Sequence, residues 1–505
     1  MKQAPSKLAA SVLTSFALSG CASFGTIKTL EPEPRTPPMV EALPDDFSGG
    51  SETSAYTPAR WWTVYDDAVL DALVATSQAQ NFDIQEATAR LAQANAQARQ
   101  AAAGSKPSLT GTGSANYSDS PLAGSGFGSF GREDGVDGGA VPDAEPGRLQ
   151  IETVSLSLGA AYELDLFGQA LNNTAAARGD AAAARYDLES LRLSAANETI
   201  RSYLNIVDAR YQIELQRDTA ALIEERLRLT EARFARGLAE SFELYQLDQD
   251  LRNIQAGIPV REAALQQTRN QLALVLGEYS PAIRARLETE LSPRISLDPV
   301  SPDLPASLLE QRPDIRAAWA RLEAARRRIG ARKAERYPAL SLSASIGSQG
   351  ADFIDAVDVL NNWLLSLATN LTAPLLDGGR REAGVDAAEA VYAERSATYA
   401  ETVVRAFGEV ETALSDLRLQ MDRYRLVFGQ LDATRNTLNT QRQRFERGTG
   451  SYVSVLDARR AVLQTEGALS TAARDLALAR LGIHRALGGD WDLPRASDPV
   501  ATPAP

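Results

Sequence analysis

Leu340-Ser341-Leu342-Ser343-Ala344-Ser345-Ile346-Gly347 alternates apolar with small or polar residues without a break. A period of two belongs to an extended strand that turns one apolar face to its surroundings. After a polar stretch containing glycine, a second such run carries Trp363, Leu365, Leu367 and Leu371. An earlier pair has the same form. Leu109, Ala115 and Tyr117 share a face with glycines, opposite Ser108, Thr110, Thr112, Ser114 and Asn116. Beyond a glycine-rich loop the return run carries Val154, Leu156, Leu158, Tyr162 and Leu164. The pattern predicts four strands in two hairpins, about 107–118 with 150–165 and about 338–348 with 362–374.

The hairpins recur because the chain is duplicated. Asp83-Ile84, Arg90-Leu91 and Pro107 return as Asp314-Ile315, Arg321-Leu322 and Pro338, at an offset of 231. Arg233-Phe234-x-Arg236-Gly237 returns as Arg444-Phe445-x-Arg447-Gly448, and Leu276-Gly277 as Leu487-Gly488, at an offset of 211. One gap of 20 residues in the first hairpin's loop region, Ser118 to Arg148, accounts for the change. A repeat of this length overrides the usual length prior of one domain per 100–200 residues. It predicts two copies of one elongated unit, 61–290 and 291–490, followed by a C-terminal tail at 491–505.

Strands of about ten residues suit a half-buried soluble sheet, and they also suffice to cross a bilayer when tilted. Small and hydroxyl residues on one face favour the bilayer. Four strands cannot close a barrel, and an open edge in lipid leaves backbone groups unpaired at several kcal/mol each. Spanning strands therefore require several chains, and three would supply twelve strands.

Each hairpin is followed by a long proline-free helical stretch, 168–236 and 379–447, or roughly 100 Å at 1.5 Å per residue. Leu188, Leu191, Ile200, Leu204 and Val207 fall at coiled-coil-like spacing, as they would in any pair of coiled-coil arms. Gly237 and Gly448 mark left-handed helix ends. Ser241 and Ser451 are read as N-caps of return helices at 241–276 and 451–487.

The net charge is −13, which argues against nucleic acid, whose binding needs a basic stripe. The single cysteine, Cys21, follows a positive start (Lys2, Lys7), a short apolar core (Leu8–Leu18) and Ser19-Gly20. Residues 1–20 read as a signal peptide. Leu18-Ser19-Gly20-Cys21 resembles a bacterial lipobox, which implies lipidation at Cys21 and a proline-rich tether at 21–60. A diacylglycerol and an amide-linked acyl chain suffice for stable anchoring, and with no aspartate after Cys21 the resemblance implies the outer membrane. The lone cysteine excludes disulfides and thiolate metal sites in the chain. One histidine, His484, and no phosphate loop or serine-histidine motif predict that the chain is not an enzyme and needs no cofactor or metal beyond the covalent lipid. The three methionines, Met1, Met39 and Met421, argue against export of soft metals.

Four features together resemble the TolC-type outer-membrane factors, NodT/OprM-like efflux lipoproteins in particular: Cys21, Trp61-Trp62-x-x-Tyr65-Asp66-Asp67, Tyr162-Glu163-Leu164-Asp165-Leu166-Phe167-Gly168 and Pro374-Leu375-Leu376-Asp377-Gly378-Gly379. The resemblance spans roughly Trp61 to Leu487. It implies a mainly α fold with a transmembrane β part, in which a homotrimer forms a 12-stranded outer-membrane β-barrel and a periplasmic α-helical barrel. It further implies partners, namely a periplasmic adaptor and an inner-membrane resistance-nodulation-division pump of a Gram-negative bacterium, and a function as passive exit duct for small molecules or drugs. A polypeptide-secretion duct and a non-channel coiled-coil lipoprotein are the competing readings.

The resemblance places Arg233, Arg236, Gly237, Arg444, Arg447 and Gly448 at the periplasmic tip, where the adaptor docks. As residues alone, the glycines reverse the chain and the arginines oppose the helix dipole, and both roles can hold together. Phe445 and Asp457 are the gate candidates, although Asp457 is matched by Gln246 in the first half. Gly450 stands where the family often carries a charged residue.

Overall fold

A computed structural model describes residues 61–121, 148–287, 312–351, 353–358 and 361–489. The expected leader 1–20, Cys21, the tether up to residue 60, the tail 491–505 and most of the first hairpin's loop lie outside the described residues. The chain divides by contact into two units that cut across the sequence repeat. Among the described residues, one contains those of 96–178 and 323–393; the other contains those of 61–95, 179–322 and 394–489. Each unit thus draws on both halves.

The first unit is built on a sheet. Its strands β1 (Ser108–Pro121), β2 (Arg148–Leu164), β3 (Ala339–Gly350) and β4 (Trp363–Thr372) lie antiparallel in the order β1-β2-β3-β4. The two hairpins expected from sequence are present, and pairing of β2 with β3 joins them into one sheet. The register aligns Gly111, Leu158, Ile346 and Leu365 in one row, and Leu109, Ala160, Ala344 and Leu367 in the next. Both rows lie on one face, and their large side chains are exposed, Leu367 at 79 %. Thr110, Gly159, Ser345 and Ser366 form a row on the opposite face. At Gly347 a Cβ would fall 2.5 Å from the Leu156 carbonyl oxygen, so only glycine allows that approach. The second hairpin's connection, expected as loop, contains a short helix, α7 (Phe353–Val357), whose buried Ala356 packs against the sheet.

Two helices precede the hairpins, α2 (Phe82–Ala103) before β1 and α6 (Pro313–Ala334) before β3. The hairpins lead into two very long helices, α3 (Gln169–Phe234) and α8 (Arg380–Glu446), whose first turns are capped by aspartates. The Asp165 carboxylate accepts from Leu171 N (2.7 Å), and Asp377 accepts from Gly379 N (3.2 Å) and the Arg381 guanidinium (2.9 Å). These two residues sit inside the motifs that carry the family resemblance.

The second unit is helical. It holds a 3-10 turn (Trp61–Tyr65), α1 (Ala68–Gln80), the return helix α4 (Ser241–Leu276), α5 (Ser280–Leu287) and the return helix α9 (Tyr452–Ala486), together with the greater part of α3 and α8. Its core joins Trp62, Tyr65, Leu70 and Leu73 to Ile200, Tyr203, Leu272 and Leu276. Asp67 caps α1 by accepting from Val69 N (2.9 Å) and Leu70 N (3.2 Å), and it also accepts the Tyr203 hydroxyl. Tyr65 Oη donates to the Ala477 carbonyl (2.9 Å), tying the first turn to α9.

The repeat is visible in the clamps at the ends of the return helices. Asn81 Nδ2 donates to the Val275 carbonyl (2.8 Å), and its counterpart Arg312 donates through Nη1 to the Ala486 carbonyl (2.6 Å). Arg312 also pairs with Asp314 (2.7 Å) and Glu409 (2.8 Å). One capping expectation is corrected. Glu240, not Ser241, stands at the N-cap of α4, and it makes no side-chain cap bond, whereas Ser451 Oγ accepts from Val453 N as expected (3.1 Å). The offset of 211 pairs Ser451 with Glu240, so Ser241 is one residue out of register. Pro259 stands inside α4, and Gln216 Nε2 from α3 donates to the nearby Ile254 carbonyl (2.9 Å).

Candidate functional site

The two long helices end in the same motif. Gly237 N donates to the Phe234 carbonyl (2.8 Å) and Leu238 N to the Arg233 carbonyl (2.9 Å). Gly448 N and Thr449 N make the matching bonds to Phe445 (2.9 Å) and Arg444 (2.9 Å). Both are Schellman turns, in which the residue after the helix must be left-handed. Gly237 has φ +70° and Gly448 φ +74°, with no neighbour that a Cβ would meet. The turns therefore require glycine for backbone conformation alone.

Arg233, Arg236, Arg444 and Arg447 are all exposed around these turns. Each turn thus presents two solvated cations and reversed backbone, a surface suited to an acidic or carbonyl-rich partner. Gly450 departs from the charged residue often seen at its place, and the geometry accounts for it. A Cβ there would lie 2.9 Å from the Arg444 Cβ and 3.1 Å from the Phe445 nitrogen.

The gate candidates sit in different contacts. The Phe445 ring packs at a tilt against Tyr452, with centroids 5.2 Å apart. Asp457 instead forms an ion pair with Arg226 of α3. Two further ties run beside it: Tyr452 Oη donates to Glu225 (2.7 Å), and Arg460 reaches Asp250 of α4 (3.4 Å). The Glu225 carboxylate, as hydrogen-bond acceptor, raises the Tyr452 phenol above its ordinary range. Arg226 also lies 3.9 Å from Glu243. Together these contacts fasten the second half's return helix to the first half's hairpin.

Sequence reasoning found Asp457 and missed Arg226, Glu225, Tyr452 and Arg460. A signal was available, because at an offset of 211 their counterparts are Thr437, Asn436, Ser241 and Gln249, none of them charged. Charges that break the repeat are candidates for contacts peculiar to one half. Among the described residues no cluster of three or more His, Cys, Asp or Glu is arranged to hold a metal, and no helix is long and apolar enough to cross a membrane.

A duplicated sheet with one exposed apolar face, feeding long helical hairpins that end in paired turns, defines the outer-membrane duct class of proteins. The family described as outer membrane efflux protein matches residues 73–278 and 304–489. The chain belongs to that family. It is 27 % identical over 467 residues to nodulation protein T of Rhizobium leguminosarum bv. viciae, covering 92 % of this chain and 91 % of the relative. The pyoverdine export outer membrane protein OpmQ of Pseudomonas aeruginosa is 29 % identical over 442 residues, with 86 % and 88 % covered. The solved structure of the outer-membrane channel OprN superposes with a TM-score of 0.76 at 26 % identity, covering 92 % of this chain and all of that one. The chain is an outer-membrane efflux component, and the mainly α fold with a β part expected from sequence holds.

Proposed function

We propose that the chain is the passive exit duct of a tripartite efflux system and works as a homotrimer. The open sheet carries this reading. β1 and β4 are its outer strands, and an unpaired strand edge in lipid costs several kcal/mol per backbone group. Three sheets joined edge to edge give twelve strands, within the range of closed bacterial barrels. The rows that hold Leu109, Leu158, Ile346 and Leu367 then face lipid, and the serine and threonine rows face the lumen.

Below the barrel, the long helices of repeats 61–290 and 291–490 line a conduit through the periplasm. The turns at Gly237 and Gly448, with their arginines, dock on a periplasmic adaptor that couples the duct to an inner-membrane resistance-nodulation-division pump. Energy enters at the pump, so the chain needs no catalytic residue and no cofactor. A lipid on Cys21 anchors it beside its barrel. Asp457, held by Arg226, and Phe445, held by Tyr452, keep the tip narrow at rest. Small molecules fit the role, and the pyoverdine export named for OpmQ supports that class of cargo.

Substitutions on the two faces of β3 test the barrel. Ile346→Arg on the apolar face should cost about 2–4 kcal/mol in the bilayer and deplete the protein from outer-membrane fractions. Ser345→Arg on the other face should leave insertion intact and alter conduction. Equal tolerance of both arginines contradicts a lipid-facing row.

A further inference from the structure

The apolar face of the sheet is covered at one end, and the cover is itself apolar on its outer side. Along β3, Leu342 and Ile346 on that face are exposed, but Ser348 is only 4 % exposed. At Gly350, the next residue on that face, a Cβ would fall 2.3 Å from the Asp355 Cβ and 2.6 Å from the Ala356 nitrogen. Gln349, on the opposite face, is exposed. The helix α7 therefore lies on the face that carries Leu158, Ile346 and Leu365, over the inner strands β2 and β3. Two asparagines close its far end. Asn362 Nδ2 donates to the Asp355 carbonyl (2.8 Å) and Asn361 Nδ2 to the Asp358 carboxylate (2.8 Å).

Successive helix residues stand about 100° apart, so Ile354, two before the buried Ala356, points away from the sheet. Ile354 is 75 % exposed and Phe353 beside it 65 %. The height of this pair follows from the strands. β3 follows α6 and β4 leads into α8, so α7 stands at the end of the hairpin remote from the helices. Trp363, the ladder partner of Ser348, is exposed on the same face. From Leu371 to Trp363 is eight residues. At about 3.4 Å each and a tilt of about 40°, they rise about 21 Å, close to the roughly 25 Å apolar band of an outer-membrane barrel. Trp363 thus takes the place of an interfacial aromatic residue, and α7 sits at the same edge of the band.

We propose that α7 is an interfacial helix seated in the outer leaflet, with Phe353 and Ile354 inserted between lipid headgroups and the upper acyl chains. This rests on the reading of that face as lipid-facing and goes beyond it by giving the hairpin's connection a membrane partner. The occupant is lipid and not a second copy, because copies join through the edges of β1 and β4, whereas α7 covers β2 and β3. Interfacial helices bury their apolar side about 5–10 Å deep and keep a charged side in water. Asp355 and Asp358, both exposed, supply that charged side.

The full-length lipidated protein tests this in phosphatidylcholine vesicles, with a fluorophore on Ile354→Cys, Leu365→Cys or Gln349→Cys in turn. Lipids carry a nitroxide quencher near the glycerol end or near the methyl end of the acyl chain, and iodide is the aqueous quencher. The label at 354 should be quenched about twofold more by the shallow nitroxide than by the deep one, and spared by iodide. The label at 365 should be quenched by lipid nitroxide, and the label at 349, at the same height as α7 on the opposite face, by iodide. If 365 meets lipid while 354 is quenched by iodide like 349, the interfacial seat is overturned and the lipid-facing row stands. Shielding of 354 from both quenchers means that protein covers α7 and overturns the seat likewise. If 365 is spared by both lipid nitroxides, the duct reading and the seat fall together.

Discussion

The guanidinium of Arg226 on α3 is ion-paired with the carboxylate of Asp457 on α9, so a charge near the end of one long helix holds the return helix of the other half. The pair is partly solvated, with Asp457 about half exposed, and exposed pairs contribute only about 0.2–1 kcal/mol. Its weight therefore falls on the position of the tip and little on global stability. Arg226→Gln and Asp457→Asn should each leave the melting midpoint nearly unchanged yet admit bulky antibiotics that normally stay outside the cell. The double substitution should sensitise cells no more than either single one, because both remove the same tie. Additive sensitisation in a drug-susceptibility assay would show that the two residues act independently.

The turn glycines differ from the ion pair in what they hold. A β-branched residue at Gly237 or Gly448 must adopt a left-handed backbone at a cost of about 1–2 kcal/mol, with no collision to add to it. Gly448→Val should reduce crosslinking to the adaptor, and Gly448→Asn, which tolerates that backbone, should restore most of it. Equal crosslinking in the native protein and both variants would mean that turn geometry does not govern docking.

Arg312 should matter more for stability than its counterpart Asn81. Its side chain is 8 % exposed, and it serves Asp314, Glu409 and the Ala486 carbonyl at once. Removing one partner of a fully buried pair costs about 3–5 kcal/mol, and the carboxylates here are about a third exposed, so Arg312→Met should cost about 2–3 kcal/mol. Asn81→Leu should cost about 1–2 kcal/mol through two lost hydrogen bonds. Denaturant melts of the two variants compare them directly, and the reverse order would contradict this account.

His484 gives the protein a pH dependence of defined sign. Burial, and then the charge of Arg480, push its pKa down to about 4 from the ordinary 6.5. Above pH 6.5 the imidazole is neutral folded and unfolded, and its contribution is fully present. As pH falls toward 4 the unfolded chain takes up a proton that the folded one refuses, and stability drops by up to about 3 kcal/mol. The melting midpoint should fall more between pH 7.5 and pH 5 in the native protein than in His484→Gln. Parallel falls would remove His484 from the account.

Much of this was legible in the residues because two periods, two and coiled-coil-like, rarely coincide by chance with a 211-residue repeat. Alternation placed all four strands and their apolar face. The β2–β3 pairing was hidden, since nothing local marks Leu164 and Leu340, partners in two strands far apart in the chain, as neighbours. Ser241 misled because serine favours an N-cap anywhere, whereas register assigned the place to Glu240. Arg226 stayed silent for a similar reason: one arginine among many on a polar helix declares its partner only in three dimensions. Cys21 lies outside the described residues, and the lipid proposed for it rests on the lipobox pattern.

Conduction across a planar bilayer tests the duct most directly. The purified native protein should pass little current, and Asp457→Asn, with the tip loosened, should open stable ion-conducting channels of uniform size. Failure of the loosened protein to conduct, when it is inserted as three copies, would contradict the central claim.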